Sequence, residues 1–287
     1  MIKNKFAHFG NCGDVLASLP AIKEFYKKTK IKPILYLVKD HPAIYYEGCV
    51  HPIKDDKGNH VSLNETMVKM LIPLLKEQDY LEDVKEWDGE EIDFNLSKIR
   101  DTNVNCPYGD LRRWYFYIFP ELACDLSKKY LYVPDALKNL AKEKIIVCRT
   151  ERYLNEKIDY SFLKPYENDI VFAGTNQEHT IFCNQFNLKI DKLEVNDFLE
   201  LAQALRQSKF LLSNQTMIFQ IAEGLKIPRI VELCHFAPNV IPVGENAFDF
   251  YAQIGLEYYF HTLNGTIEDF KGKFKNSQPK LGEGIMR

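Results

Sequence analysis

An acidic residue stands in a glycine-flanked loop near the start of the chain. Gly10-Asn11-Cys12-Gly13-Asp14 follows a predicted strand over 2–9 and precedes apolar residues at helical spacing. The pattern predicts a strand, a tight loop and a helix with Asp14 at its start. There the carboxylate either caps free N–H groups or takes a proton from an attacking hydroxyl group. Both interpretations stay open from this segment alone.

A second turn has the composition of a phosphate site. Residues 213–228 follow the apolar run 210–212 and precede another at 229–231, so they predict strand, helix, strand. Ser213 and Asn214 are expected to cap the helix, and Gly224 and Pro228 to end it. Free N–H groups and the Thr216 hydroxyl would then face a ligand at the positive end of the helix dipole. An ordinary βαβ unit without a ligand is the alternative.

Two common nucleotide motifs are absent. The first loop lacks the G-x-G-x-x-G spacing of dinucleotide-binding folds, and G-x-x-x-x-G-K-[ST] occurs nowhere in the chain. Dinucleotide and P-loop assignments therefore both fail.

The two segments together resemble the heptosyltransferase-type glycosyltransferases of family 9. Residues 13–21 (Gly-Asp-Val-Leu-Ala-Ser-Leu-Pro-Ala) match the family's N-terminal signature, and the segment starting at Ser213 matches its C-terminal one, about 200 residues later. The family's Asp and Gly are replaced here by Gln215 and Met217. The resemblance implies an α/β protein with two Rossmann-like domains facing across a cleft (GT-B), and Asp14 as general base. Donor phosphate contacts are implied for Gly13, Asn214, Gln215, Thr216 and Met217.

Two further loops are expected at the same cleft, since ligands collect beyond the carboxyl ends of parallel strands. Arg149 and Arg152 follow a predicted strand and carry donors suited to phosphate oxygens. Gly174 and Glu178 occupy the place where the relatives carry a glycine and a donor-contacting glutamate. The alternatives are solvated surface arginines and a carboxylate at a helix start.

The acceptor side is less sharply marked. His8 at the end of the first strand, Asn11 in the loop, and Arg112 and Arg113 beside an aromatic cluster are its candidates. A hydrogen-bonded structural histidine is the competing interpretation of His8. The aromatic cluster 114–117 is expected to form helix core and acceptor-side wall.

Composition limits the class of protein. The 287 residues carry a formal net charge of −3, which gives no general attraction to nucleic acid or anionic lipid. There is no signal-peptide pattern and no apolar run of membrane-spanning length, so we expect a cytoplasmic protein. Seven dispersed cysteines without a C-x-x-C pair indicate reduced thiols. No Asp-x-Asp occurs, so neither a metal nor another cofactor is expected.

The order of the elements predicts two α/β domains, over residues 1–135 and 136–245, each large enough for its own core. The resemblance implies that the first lies on the acceptor side and that the second binds the nucleotide sugar. Segment 246–287 is expected to pack back on the first domain, with a tail from residue 276 trailing in solution. The predicted activity is inverting, metal-independent transfer from a nucleotide-diphosphate sugar to a glycan or lipid-linked acceptor, with peripheral membrane contact. Transfer to modified DNA, nucleotide-sugar 2-epimerisation, and non-catalytic sugar-nucleotide or glycan binding remain alternatives.

Overall fold

A computed structural model describes residues 3–274 apart from 46, 48 and 50–52. The tail from residue 276, expected to trail in solution, lies outside the described residues.

The first half of the chain forms a four-stranded parallel sheet in the order β3-β2-β1-β4. Its strands are β1 Lys5–His8, β2 Ile34–Leu37, β3 Asp83–Glu86 and β4 Phe94–Asn95. Its helices are α1 Cys12–Thr29, α2 Glu65–Lys76 and α3 Leu111–Ile118, with 3₁₀ turns at Leu96–Arg100 and Pro120–Leu122.

The second half forms a six-stranded parallel sheet in the order β10-β9-β8-β5-β6-β7. Its strands are β5 Ile145–Cys148, β6 Ile170–Phe172, β7 Asp191–Lys192, β8 Phe210–Asn214, β9 Arg229–Glu232 and β10 Ala247–Phe250. Its helices are α4 Asn176–Phe186, α5 Phe198–Gln207, α6 Met217–Leu225, α7 Gln253–Asn264 and α8 Ile267–Phe274, with a 3₁₀ stretch at Ser161–Asp169. The predicted α/β class is confirmed.

The two halves share one hydrophobic core. Helix α1 packs against α6, and α2 packs against α5. One continuous cluster of buried side chains therefore joins Phe6 and Leu16 of the first half to Ile146, Leu211 and Ile221 of the second. Helices from both halves bury their apolar faces against each other in this cluster, and the second half has in addition a buried cluster of its own around Val147, Phe172 and Phe210.

The segment from residue 246 does not return to the first sheet. Strand β10 pairs with β9 at the edge of the second sheet, and α7 packs on these two strands. Phe250, Leu256 and Phe260 are buried in the core of the second half. Burial of these side chains keeps the described part of this segment on the second half, contrary to expectation.

The length and hydropathy of the helices decide whether any of them could span a membrane. Within the described residues, none of the helices combines the length and the apolar character needed to span a bilayer.

Candidate functional site

In the second sheet, the order in which the chain adds strands reverses between β5 and β8. From β5 the chain builds outward to β6 and β7, whereas from β8 it builds the other way to β9 and β10. The carboxyl ends of β5 and β8, which lie side by side, are therefore the switch point at which open parallel sheets bind ligands. The loops that leave these two ends are 149–155 and the turn 215–217.

Helix α6 begins at this switch point, at Met217, with Thr216 as its N-cap residue. Within the described part of the chain, no side-chain oxygen caps the free N–H groups of this helix. These N–H groups and the positive end of the helix dipole favour an anion there. Helix α6 starts later than predicted, because Ser213 and Asn214 belong to β8. Its last residue is Leu225, and the C-cap residue is Lys226, which adopts a left-handed φ of 58°. Gly224, which was expected to end the helix, therefore lies inside it.

Asn214 holds the neighbouring loop in place. Its Oδ1 accepts a hydrogen bond from the Thr150 N–H at 3.1 Å, and its Nδ2 donates to the carbonyl oxygens of Thr150 and Arg152 at 2.9 and 2.7 Å. The side chain is fully buried. Asn214 therefore shapes the 149–155 loop, and its buried amide is turned away from a ligand above the turn.

Gln215 also faces inward. Its Nε2 donates to the Ala237 carbonyl oxygen at 2.7 Å and to Asn239 Oδ1 at 2.9 Å, and its Oε1 accepts from the Cys234 N–H at 2.6 Å. The amide thus binds the loop after β9. The structure does not bring this side chain to the phosphate position predicted from the sequence.

The two candidate arginines have different surroundings. Arg149 is buried, donates to both carboxylate oxygens of Glu232 at 2.8 and 3.1 Å, and lies over the Tyr160 ring. Although burial opposes it, the Glu232 carboxylate raises the pKa of Arg149. Arg152 is only half-buried, and its charge acts on Tyr45 and Tyr153 at the cleft. Arg152 is therefore the more accessible of the two arginines, and Arg149 supports the loop beneath it.

Gly174 and Glu178 lie where β6 leads into α4. Glu178 Oε2 accepts from the Thr175 N–H and hydroxyl at 2.8 and 2.9 Å, so the carboxylate completes a capping box. A Cβ on Gly174 would lie 3.0 Å from that oxygen. A small pocket opens beside this cap, lined by Arg149, Thr150, Glu151, Leu154, Glu178, Ile181, Phe182 and Gln185. Glu178 thus both caps a helix and borders a pocket next to the switch point.

The Asp14 loop (residues 10–14) of the first half meets helix α6 of the second half. A Cβ on Gly13 would lie 3.9 Å from the Met217 Cα and 4.0 Å from the Gln220 Cγ. Helix α1 begins at Cys12, so the first turns of α1 and α6 are neighbours. The structure therefore brings together Gly13, Asp14, Thr216 and Met217 from opposite ends of the sequence.

Asp14 is held by two donors. Its Oδ2 accepts the Asn11 N–H at 3.0 Å and an ion pair from Arg100. The Asn11 side chain in turn accepts from the Tyr45 hydroxyl at 3.4 Å. The Asp14 side chain is 10% exposed and that of Arg100 is 46% exposed, so solvent reaches the pair mainly at the arginine. The Asp14 carboxylate is the main cause that raises the pKa of Arg100.

Comparison with known proteins supplies the fold family. No protein-family model matches the sequence, and no curated protein matches it. Among solved structures, E. coli ADP-heptose LPS heptosyltransferase II aligns with a TM-score of 0.59 at 12% identity, over 94% of this chain and 100% of that one. The family 9 glycosyl transferase of Veillonella parvula gives 0.54 at 11% identity, over 92% and 90%. E. coli heptosyltransferase WaaC, solved with ADP-2-deoxy-2-fluoro heptose, gives 0.53 at 12%, over 95% and 99%.

This chain has the GT-B fold. The predicted resemblance to family 9 is thereby confirmed at the level of fold, and identity this low carries no further. The two Rossmann-like halves of a GT-B protein face each other, and here the facing edges carry the Asp14 loop and the start of α6.

Two acceptor-side candidates are buried in the GT-B framework. His8 has no exposed surface, and Arg112 lies between Asp110 and Glu223. Arg113 is exposed on α3. Burial keeps His8 and Arg112 from an acceptor in the cleft, so neither is carried into the functional proposal.

Arg100 is a site residue that the sequence analysis missed. It ends the 3₁₀ turn that follows β4, and β4 pairs in parallel with β1. The carboxyl ends of β1 and β4 are adjacent, so residues after both strands reach one edge of the sheet. The available signal was the alternation of apolar and polar residues over 92–96, which is typical of a short strand, with a cation four residues beyond it.

Among the described residues, no group of three or more His, Cys, Asp or Glu side chains is arranged to hold a metal ion.

Proposed function

We propose that this GT-B chain is a glycosyltransferase that moves a sugar from a nucleotide-diphosphate donor to a hydroxyl acceptor. The observation that carries the proposal is the approach of the Asp14 loop to the uncapped start of α6, where a Cβ on Gly13 would lie 3.9 Å from the Met217 Cα. A carboxylate from one half thereby lies opposite an anion-binding helix start from the other. Transfer between two substrates needs these two groups on facing walls.

The donor diphosphate binds the first turn of α6. The free N–H groups of that turn, the Thr216 hydroxyl and the Arg152 guanidinium stabilise the negative charge that develops on the leaving nucleoside diphosphate. Since Arg152 and the N–H groups supply this charge stabilisation, transfer proceeds without a metal ion. The nucleoside occupies the pocket beside Glu178, and the absence of a side chain on Gly174 leaves room for the Glu178 carboxylate that borders this pocket.

Asp14 is the general base. In the described part of the protein its hydrogen bonds converge on Oδ2, through the Asn11 N–H and Arg100, which leaves Oδ1 for the acceptor hydroxyl. The hydroxyl loses its proton to Asp14 as its oxygen attacks the anomeric carbon, and the bond to the diphosphate breaks on the α6 side. Attack and departure on opposite faces of the sugar invert the anomeric configuration.

The acceptor is a bacterial surface glycan or lipid-linked saccharide, reached from the cytoplasm by peripheral membrane contact. Support for this finer assignment comes from the fold likeness to an ADP-heptose LPS heptosyltransferase and from the family resemblance of residues 13–21. Asn11 and Arg113, together with Arg100, are the polar side chains proposed for the acceptor wall.

The test compares Asp14→Asn with Asp56→Asn, an identical change at an exposed position. Donors are first chosen by thermal shift against ADP-, UDP-, GDP-, CMP- and dTDP-sugars, and transfer is then measured in excess EDTA. We expect turnover to fall about 10²–10⁴-fold in Asp14→Asn, with donor affinity kept, because the base is lost while the α6 site remains. Turnover near wild type in Asp14→Asn would refute the assignment of the base. Donor binding without transfer by the wild-type protein would favour the non-catalytic alternative.

A further inference from the structure

A buried chain of hydrogen bonds supports the Asp14 loop from beneath. The Gly10 N–H donates to His8 Nδ1 at 2.9 Å, His8 Nε2 lies 2.8 Å from the Tyr115 hydroxyl, and that hydroxyl donates to the Asp14 carbonyl oxygen at 2.8 Å. His8 and Tyr115 are both fully buried. The chain begins at one end of the loop and finishes at the other.

Donor and acceptor roles along this chain follow from one fixed bond. Because Nδ1 accepts the Gly10 N–H, the imidazole proton resides on Nε2 and is donated to Tyr115 Oη. The Tyr115 O–H is then free to donate to Asp14. Burial lowers the pKa of His8 from 6.5 to about 4, with Asp14 opposing and Arg100 supporting that shift. The ring is therefore neutral at physiological pH and keeps a single tautomer.

We propose that His8 and Tyr115 are positioning residues that hold the Asp14 loop, and with it the Asp14 carboxylate, in a fixed position relative to the start of helix α6. The part of the proposal that concerns turnover rests on the proposed function. Neither side chain touches a substrate, since both lie behind the loop.

Packing at Gly10 makes the loop position sensitive. A Cβ on Gly10 would lie 2.7 Å from both Asp14 Oδ2 and His8 Cε1. The loop backbone thus passes between the imidazole and the carboxylate with no spare room. A shift of the imidazole moves the loop, and a shift of the loop moves the carboxylate.

Helix α3 connects this support to the other half of the protein. Arg112 lies one turn before Tyr115 on α3, so the two side chains share a face. Arg112 forms a buried ion pair with Glu223 of α6. One helix therefore holds both the Asp14 loop and the helix that is proposed to bind the diphosphate. The separation of base and leaving group is set through α3.

The experiment compares Tyr115→Phe with Tyr117→Phe. Both variants lose one hydroxyl from the same helix, but Tyr117 is 64% exposed. In the wild type, ¹⁵N NMR is expected to show His8 neutral with its proton on Nε2 at pH 6. In Tyr115→Phe, we expect Gly10 amide exchange to rise about tenfold and kcat to fall about tenfold, with donor KM within about twofold. Tyr117→Phe is expected to match wild type in each measurement.

A purely structural role for Tyr115 would lower the melting temperature while leaving kcat unchanged, which would overturn the proposal. A His8 ring that is charged or carries its proton on Nδ1 at pH 6 would overturn it as well. So would unchanged Gly10 exchange in Tyr115→Phe. Exchange and NMR need no turnover, so a protein without transferase activity would refute the proposed function and still decide whether this support holds the loop.

Discussion

Arg149 and Arg152 lie three residues apart in one loop and have opposite roles. Arg149 is paired with Glu232 inside the second half, whereas Arg152 is half-buried and its charge acts on Tyr153. We predict that Arg152→Ala weakens nucleoside diphosphate binding by about 1.5–3 kcal/mol, the value of a charge-assisted contact, at unchanged stability. Arg149→Ala instead leaves Glu232 buried and unpaired, which costs about 3–5 kcal/mol of folding free energy. Calorimetric titration and urea unfolding of both variants measure the two effects, and a reversal would refute the assignment.

The sequence predicted which residue types reach the switch point but not where their side chains turn. Asn214, Gln215 and Arg149 stand at the predicted strand ends, yet all three form hydrogen bonds with distant parts of the second half. Their partners Arg152, Ala237 and Glu232 lie 62, 22 and 83 positions away along the chain, so local spacing does not reveal them. Arg100 was missed for the same reason, because its partner Asp14 is 86 positions distant.

His8 makes the stability of the folded protein depend on pH. Its pKa is lowered in the folded state, so the unfolded state binds the proton more tightly, and stability is lost as pH falls from about 6.5 towards 4. One pKa unit corresponds to about 1.4 kcal/mol, so the stability that is lost through His8 over this pH range is about 3 kcal/mol. We predict that His8→Gln removes this share of the pH dependence in urea unfolding, whereas His60→Gln, at an exposed position, keeps it. An equal slope in wild type and His8→Gln would contradict the prediction.

The elements that carry the site agree with the sequence in type and differ at their ends. The strand, loop and helix pattern of the first segment is confirmed by β1 and α1. Helix α6 starts three residues later than Asn214 because Ser213 still pairs with both β5 and β9, and Asn214 still pairs with β9. Pairing with neighbouring strands is a tertiary effect that overrides the local preference of Ser and Asn for a helix cap.

The turn between β1 and α1 offers a test at the level of the element. We predict that Gly10→Ala displaces Asp14 and lowers turnover by at least about tenfold, because the new Cβ would overlap Asp14 Oδ2 and the His8 ring. Gly272→Ala is the control, since a Cβ there meets nothing within 4 Å. A crystal structure of Gly10→Ala with Asp14 in its original place, or full turnover, would show that the loop has more room than the packing indicates.

On the scale of the whole molecule, the halves are joined by charge as well as by the shared core. Glu223 of α6 is fully buried and pairs with Arg112 of α3, Lys226 and Arg229. Burial lowers the pKa of Lys226 to about 8, although Glu223 opposes the shift. The two-domain prediction from chain length could not reveal these buried ion pairs at the contact between the halves. In the sequence, each residue of the pairs has the appearance of an ordinary surface charge.

The shared core and the ion pairs of Glu223 imply that the two halves unfold together. We predict a single urea transition in which the buried thiols of Cys12 in the first half and of Cys148 and Cys234 in the second become reactive at the same midpoint. Glu223→Gln removes the carboxylate that faces three cations and is expected to lower the unfolding free energy by about 3–5 kcal/mol.

The control for this change is Glu194→Gln, which removes one charge from an ion pair in which Glu194 is 78% exposed. It should alter stability by no more than about 0.5 kcal/mol, as for most surface substitutions. Mass spectrometry of labelled thiols at each urea concentration reports the halves separately. Cys148 and Cys234 labelling well before Cys12 in the wild type would show that the shared core and the Arg112–Glu223 pair do not couple the halves. The α3 connection between base and donor helix would then lack the rigidity that positioning of Asp14 requires.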